Sequence, residues 1–216
     1  MARRTVPTAA TFAATAALLL TACGGGDGTS SSDDVKGTDT GASSPPASAS
    51  ASTPSEAKRP QITLPSSFQL PFANWTSNDP DEQAVLNASK EELRAGYAAI
   101  IANDPDSKAV SYYHTKEGLS QAREWIKSYT DKNLTVIGKL PVFDPKATIG
   151  DNKTSASVSY CTDESMARTK HRETGKVEGN PAGMHPEVFY LVSMAKNAQG
   201  VWQTVSVRSE RGGCSQ

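Results

Sequence analysis

The chain has 216 residues, and its 22 Lys and Arg against 23 Asp and Glu give a formal net charge of −1. From Gln61 onward 17 basic residues face 18 acidic ones, which excludes the basic face of a nucleic-acid binder and a polybasic clamp on anionic lipid. About 156 residues beyond position 60 are enough for one core and too few for two domains.

The first segment has the layout of an export signal. Arg3 and Arg4 give a positive start, Ala9 to Leu20 form a short apolar core, and the small residue Ala22 precedes a cleavage point. The run falls short of the roughly 20 apolar residues that a membrane-spanning helix needs. Leu20-Thr21-Ala22-Cys23 resembles the lipobox of bacterial lipoproteins, whose Cys thiol receives a diacylglyceryl group and becomes the first residue of the mature chain. The resemblance implies cleavage between Ala22 and Cys23, acyl chains such as palmitate on Cys23, and a place outside the cytoplasm on the outer face of the cell membrane. Two acyl chains on one residue exceed the single chain that binds a bilayer only marginally. Residues 1–22 are therefore expected to be a signal peptide.

Gly24 to about Pro60 is almost wholly Gly, Ser, Thr, Ala, Asp and Pro, with Val35 its only large aliphatic side chain. Such a composition cannot bury enough apolar area to offset ordering, so residues 23–60 are expected to be a disordered tether. A coil of roughly 37 residues would reach about 33 Å on average.

A single domain over residues 61–216 follows, with its core at about 80–214. Residues 61 to 77 hold Ile62, Leu64, Phe68, Leu70, Phe72 and Trp75 among two prolines, Pro65 and Pro71, reading as an extended arm laid on the domain. Asn78 and Asp79 before Pro80 signal a helix start, and the periodicity of Leu86, Leu93, Tyr97 and Ile100 predicts a helix to Ala102. Ser89 and Lys90 interrupt its stripe, and Asn103-Asp104-Pro105 ends it. After Val110, Tyr112 and Tyr113, Thr115 caps a second long helix with the face Leu119, Ala122, Ile126 and Tyr129, closed by Asp131-Lys132-Asn133.

From there the period drops to two. A first strand is predicted from Leu134 through Leu140 towards Phe143, and a second carries Ala156, Val158 and Tyr160 and ends at Cys161. A third carries Val188, Tyr190, Val192 and Met194. A last strand, from Val201 to Val207, follows the turn Asn197-Ala198-Gln199-Gly200. Helices followed by an antiparallel sheet predict an α+β fold with the helices over one sheet face. With Cys23 lipidated, Cys161 and Cys214 remain as an even pair in an exported chain. They are read as a disulfide, reachable if the second and last strands run near each other.

The order of elements, Ser157-Val158-Ser159-Tyr160-Cys161, and the closing run Asn197 to Thr204 resemble secreted lipoproteins of high-GC actinobacteria. Those are similar in plan to nuclear transport factor 2-like domains, in which a curved sheet wraps helices into a cone, over roughly residues 80 to 214. The resemblance implies a pocket between helices and concave sheet, where related enzymes place a carboxylate, His or Tyr for proton transfer. Candidates here are Tyr97, Tyr113, His114, Tyr160, Asp163 and Tyr190, against the plainer reading of tyrosines as core residues and Asp163 as a turn residue.

His114, His171 and His185 form no close ligand pair, and no nucleophile elbow, P-loop or dinucleotide fingerprint occurs, so no metal or cofactor is expected. The stretch 163–186, with Arg168, Lys170, Arg172 and Lys176 among Glu173 and Glu178, reads as a long loop. Either it is a flap near the cone mouth or a solvated hairpin, and trimming 166–183 is expected to leave melting nearly unchanged. These features favour a non-catalytic envelope lipoprotein that binds a protein partner or a small ligand. The rivals are an isomerase- or dehydratase-type enzyme using the cone pocket, and a structural subunit of an envelope transport or cell-wall system.

Overall fold

The computed structural model describes residues 59–215. The signal peptide, Ala22, Cys23 and nearly all of the tether lie outside the described residues.

Three helices precede most of the sheet: α1 (Pro80–Ala102), α2 (Lys108–Tyr113) and α3 (Lys116–Thr130). The Asp79 carboxylate accepts from the backbone N–H of Asp81 and Glu82, and Pro80 fills the first turn where no donor is missed. Asn103 closes α1 in the left-handed conformation at φ 58°. Thr115 caps α3 by accepting from the Gly118 N–H. These ends agree with the sequence signals to within a residue.

The strands are β1 (Phe68–Gln69), β2 (Leu134–Lys139), β3 (Val142–Ile149), β4 (Ser155–Asp163), β5 (Ala167–His171), β6 (Val177–Glu178), β7 (Glu187–Lys196) and β8 (Trp202–Arg211). They form two four-stranded halves, ordered β1-β2-β5-β6 and β3-β4-β7-β8. Backbone bonds cross the corner between them, from Asp163 N to Pro141 O at 3.1 Å and from Lys139 N to Met166 O at 3.1 Å. The result is an antiparallel sheet bent around α1 and α3, apart from the parallel β1–β2 pair. This is the α+β plan expected, helices on one face of a curved sheet.

Four expectations are corrected. The first predicted strand is two strands, because Pro141 has no N–H to continue the ladder and the chain bends there into the other half. Within β3, Asp144 at φ 51° and Pro145 form a bulge between Phe143 and Lys146, tolerated because β3 is an edge. The alternation expected through the last strand also fails. Trp202 and Thr204 are buried, a bulge at Val205 shifts the register, and Val207 and Ser209 then pair with Val192 and Tyr190.

Residues 163–186 are not a free loop. β5 pairs with β2 over five residues, Leu134 opposite His171 through Gly138 opposite Ala167. The Arg172 guanidinium donates to the Ile100 and Ile101 carbonyls in the last turn of α1. The stretch is thus a built-in part of the sheet. Nor do the second and last predicted strands lie side by side, since β7 runs between β4 and β8. Cys161 and Cys214 nonetheless sit at disulfide distance, Cα atoms 6.0 Å apart. The chain leaves β8 at Arg211 and folds back across β7, where Gly212 N bonds Glu187 O and Gly213 packs on Phe189.

Val85, Ile100, Val110, Ile126, Val158 and Val192 are fully buried at the centre. The arm joins the same core through Phe68, Leu70 and Trp75, and the Trp75 indole N–H donates to Leu86 O at 2.7 Å. Ser89, read as an interruption of the α1 stripe, is only 1% exposed and belongs to the buried face.

Candidate functional site

The bend of the sheet leaves space between α1, α3 and the concave faces of β4, β7 and β8. A cavity of about 210 Å³ lies there, walled by Leu93, Tyr97, Trp125, Tyr160, Tyr190 and Val207. Sheet parity puts Tyr160 and Tyr190 on the concave face, where they are directly paired and their rings stack at 5.1 Å and 16°. Helical spacing puts Tyr97 opposite them, edge-on to Trp125 with centroids 5.3 Å apart. Trp125 reaches this place because Gly96 has no side chain. A Cβ at Gly96 would lie 2.6 Å from the indole Cζ3.

The polar end of the cavity is built by Glu92 and His114. His114 ends α2 in an extended conformation, and Thr115 N bonds Thr204 O at 3.0 Å, fixing the junction against β8. The Gln203 side-chain amide donates to the His114 carbonyl at 3.0 Å. Nδ1 of the ring lies 2.8 Å from Val110 O, one helical turn back, and Nε2 lies 3.0 Å from Glu92 Oε1. The side chains are 2% and 9% exposed, so the pair is shielded from solvent. Burial alone would hold the imidazole neutral. The Glu92 hydrogen bond and charge, with the Val110 carbonyl, override it and raise the His114 pKa above the ordinary value.

Gly118 closes the same wall. A Cβ there would collide with the Thr204 carbonyl, so only glycine lets α3 approach β8 this closely. Gln121, one turn on, uses both ends of its amide on the bulged strand, donating to Val207 O at 2.7 Å and accepting from Val207 N at 2.8 Å.

The tyrosines cannot serve as bases near neutrality. Burial pushes Tyr97 and Tyr160 well above the usual phenol value. Burial, with the Glu164 charge and Tyr129 nearby, pushes Tyr190 up to about 12. Their hydroxyls remain protonated.

Of the six candidates from sequence, Tyr97, His114, Tyr160 and Tyr190 meet at this cavity. Tyr113 does not. It is buried beside Tyr112 at a separate hollow with Arg59, Val201 and Trp202, because successive residues of α2 point to different sides. Asp163 does not either. It shares the outer parity of Cys161, and its carboxylate accepts from Ser165 N at 2.8 Å in a strand-end turn. The sequence reading missed Glu92 and Trp125. The signal for Glu92 was present in Val85, Ser89, Glu92 and Gly96, a second seam at spacings of four, three and four beside the apolar stripe. Among the described residues no three His, Cys, Asp or Glu side chains converge as metal ligands.

A smaller hollow of about 110 Å³ lies on the other side of Tyr97, between Phe68, Tyr129 and the β5–β6 hairpin. Its rim carries Glu164, which pairs with Arg211 at 2.7 Å.

No protein-family model matches the chain, and no curated protein matches it in sequence. Several solved structures are similar. A ketosteroid isomerase-like protein from Erwinia carotovora atroseptica is 18% identical with a TM-score of 0.43, covering 62% of this chain and 98% of its own. The intermembrane space region of the chloroplast protein ARC6 is 9% identical with a TM-score of 0.42, covering 62% of this chain and 99% of its own. ActVI-ORFA from Streptomyces coelicolor is 9% identical with a TM-score of 0.40, covering 60% of this chain and 96% of its own. At 9 to 18% identity, the chemistry those names carry stays with those proteins.

Proposed function

We propose that this chain is an extracytoplasmic lipoprotein, held to the outer face of the cell membrane through Cys23, whose domain takes up a small, largely apolar molecule in the cone cavity. The observation that carries the ligand reading is the cavity itself: four aromatic rings enclose it, and one buried carboxylate stands at its end. Ligand sites are typically concave and apolar with a few convergent polar groups. At about 210 Å³ this one suits a single-ring molecule rather than a long chain. The export reading is supported by the lipobox-like run before Cys23 and by a cysteine pair at disulfide distance, which suits an oxidising compartment.

Two measurements test it. Full-length protein should partition into detergent and incorporate labelled palmitate, and Cys23→Ala should lose both; a Cys23→Ala chain that still partitions defeats the anchor. Toluene should bind saturably to the purified chain, and Ala122→Phe, which fills the cavity, should abolish that binding while the fold is kept.

One observation favours a second reading, proton transfer by an isomerase-type enzyme: a carboxylate and an imidazole lie within a hydrogen bond of each other beside protonated phenols. That reading requires the chain to catalyse deuterium uptake next to the carbonyl of a simple cyclic ketone, and Glu92→Gln to slow it by at least about 100-fold. An unchanged rate removes it.

A further inference from the structure

We infer that the cavity selects a small ring-shaped molecule bearing a neutral or cationic hydrogen-bond donor, such as a hydroxyl or amine, at its buried end, and rejects acids. The inference rests on the cavity being a ligand site and deepens that reading by assigning the polarity of its buried end.

The argument is a count of protons. Val110 O accepts only, so the His114 Nδ1 at 2.8 Å must carry a hydrogen. The other nitrogen, Nε2, faces Glu92 Oε1 at 3.0 Å. Two lone pairs cannot face each other at that distance, so one proton lies between them, on either the imidazole or the carboxyl. In both placements the second Glu92 oxygen, Oε2, has no hydrogen. Among the described residues it has no protein donor, and Glu92 lines the cavity. It is an acceptor in either state, and a ligand atom resting on it must donate.

The remaining lining gives an acid no positive charge to pair with. No Lys or Arg lines the cavity, both ring nitrogens of His114 are engaged, and the Gln121 amide is spent on Val207. The dyad as a whole is neutral, so a carboxylate would bring lone pairs against Oε2 with no compensating cation. A cationic donor gains in addition from the faces of the surrounding rings.

The test titrates four ring probes of similar size into the purified full-length chain: p-cresol, benzylamine, toluene and benzoate. The readout is the Trp125 indole N–H resonance. One donated hydrogen bond should make p-cresol and benzylamine bind about 2- to 12-fold tighter than toluene. Benzoate should give no saturable shift. Glu92→Met should level p-cresol with toluene. Glu92→Gln should keep the preference, because its amide N–H satisfies His114 Nε2 and leaves the amide oxygen facing the cavity. Should Glu92→Met fail to fold, the ranking in the natural chain and in Glu92→Gln still decides. Benzoate binding as tightly as p-cresol, or p-cresol no tighter than toluene, overturns the inference and leaves the ligand-site reading standing. Failure of all four probes to bind overturns that reading and the inference with it.

Discussion

Replacing Glu92 with Met should remove one half of a pair that solvent barely reaches, the partners being 9% and 2% exposed. His114 Nε2 would then be left without its partner in a largely buried site. Breaking one side of a buried pair costs about 3–5 kcal/mol, a large part of a whole-domain stability of about 5–15 kcal/mol. His114→Leu should cost a similar amount for the reciprocal reason. The double variant, with both polar groups gone, should lie within about 1 kcal/mol of the better single one, so the two losses must not add. Urea unfolding of the four proteins measures this directly. The pH dependence gives an internal check. Because the folded His114 pKa is raised, the pair's contribution is complete below the unfolded value of about 6.5 and declines as pH rises through the folded value. The Glu92→Met loss should therefore shrink on going from mildly acidic to alkaline buffer. A loss under about 1 kcal/mol at pH 6, or losses that simply add, would refute the dyad as described.

Other outcomes follow from the same structure. Deleting 166–183 should lower melting substantially, because it removes the β2–β5 pairing and two charged bonds from Arg172, each worth about 1.5–3 kcal/mol; an unchanged transition would show the hairpin to be ornamental. Cys161→Ser with Cys214→Ser should cost about 4 kcal/mol by chain entropy for a separation of 53 residues, read as a urea midpoint shift without reductant. Tyr113 and Tyr190 are pushed up to about 12, and Tyr97, Tyr129 and Tyr160 also titrate high. Stability should hold to about pH 10, the unfolded phenol value, then fall as pH rises, with tyrosinate absorbance appearing together with unfolding; early stepwise titration of these five tyrosines would contradict their raised values.

What the sequence revealed depended on which physical signal each residue carried. The ends of α1 were legible because Asp79, Pro80 and Asn103 act locally, through caps and backbone preference. Ala156, Val158 and Tyr160 were legible because alternation reports a face directly. The same parity already excluded Asp163 from the concave side, since it falls in step with Cys161. Glu92 was opaque for a different reason. Periodicity records hydrophobicity, and a carboxylate turns inward only when elements distant in sequence, here α3 and β8, cover it and His114 meets it. Arg172 gave no local sign of its partners, which lie about 70 positions earlier at the end of α1. Pro141 was visible as a breaker, yet the other half of the bent sheet had to exist before its role as a corner had meaning.

The arm has a mechanical consequence. The described chain enters the fold at Arg59, beside the β7–β8 turn, and runs through Ile62, whose carbonyl Arg94 holds at 2.9 Å, before Phe68 pairs alongside Gly138. A pull from that side loads Ile62 and Leu64 first and Phe68 last. Since the Phe68 ring sits 4.9 Å from Tyr97, tension reaches the cavity wall only after Ile62 and Leu64 have come away.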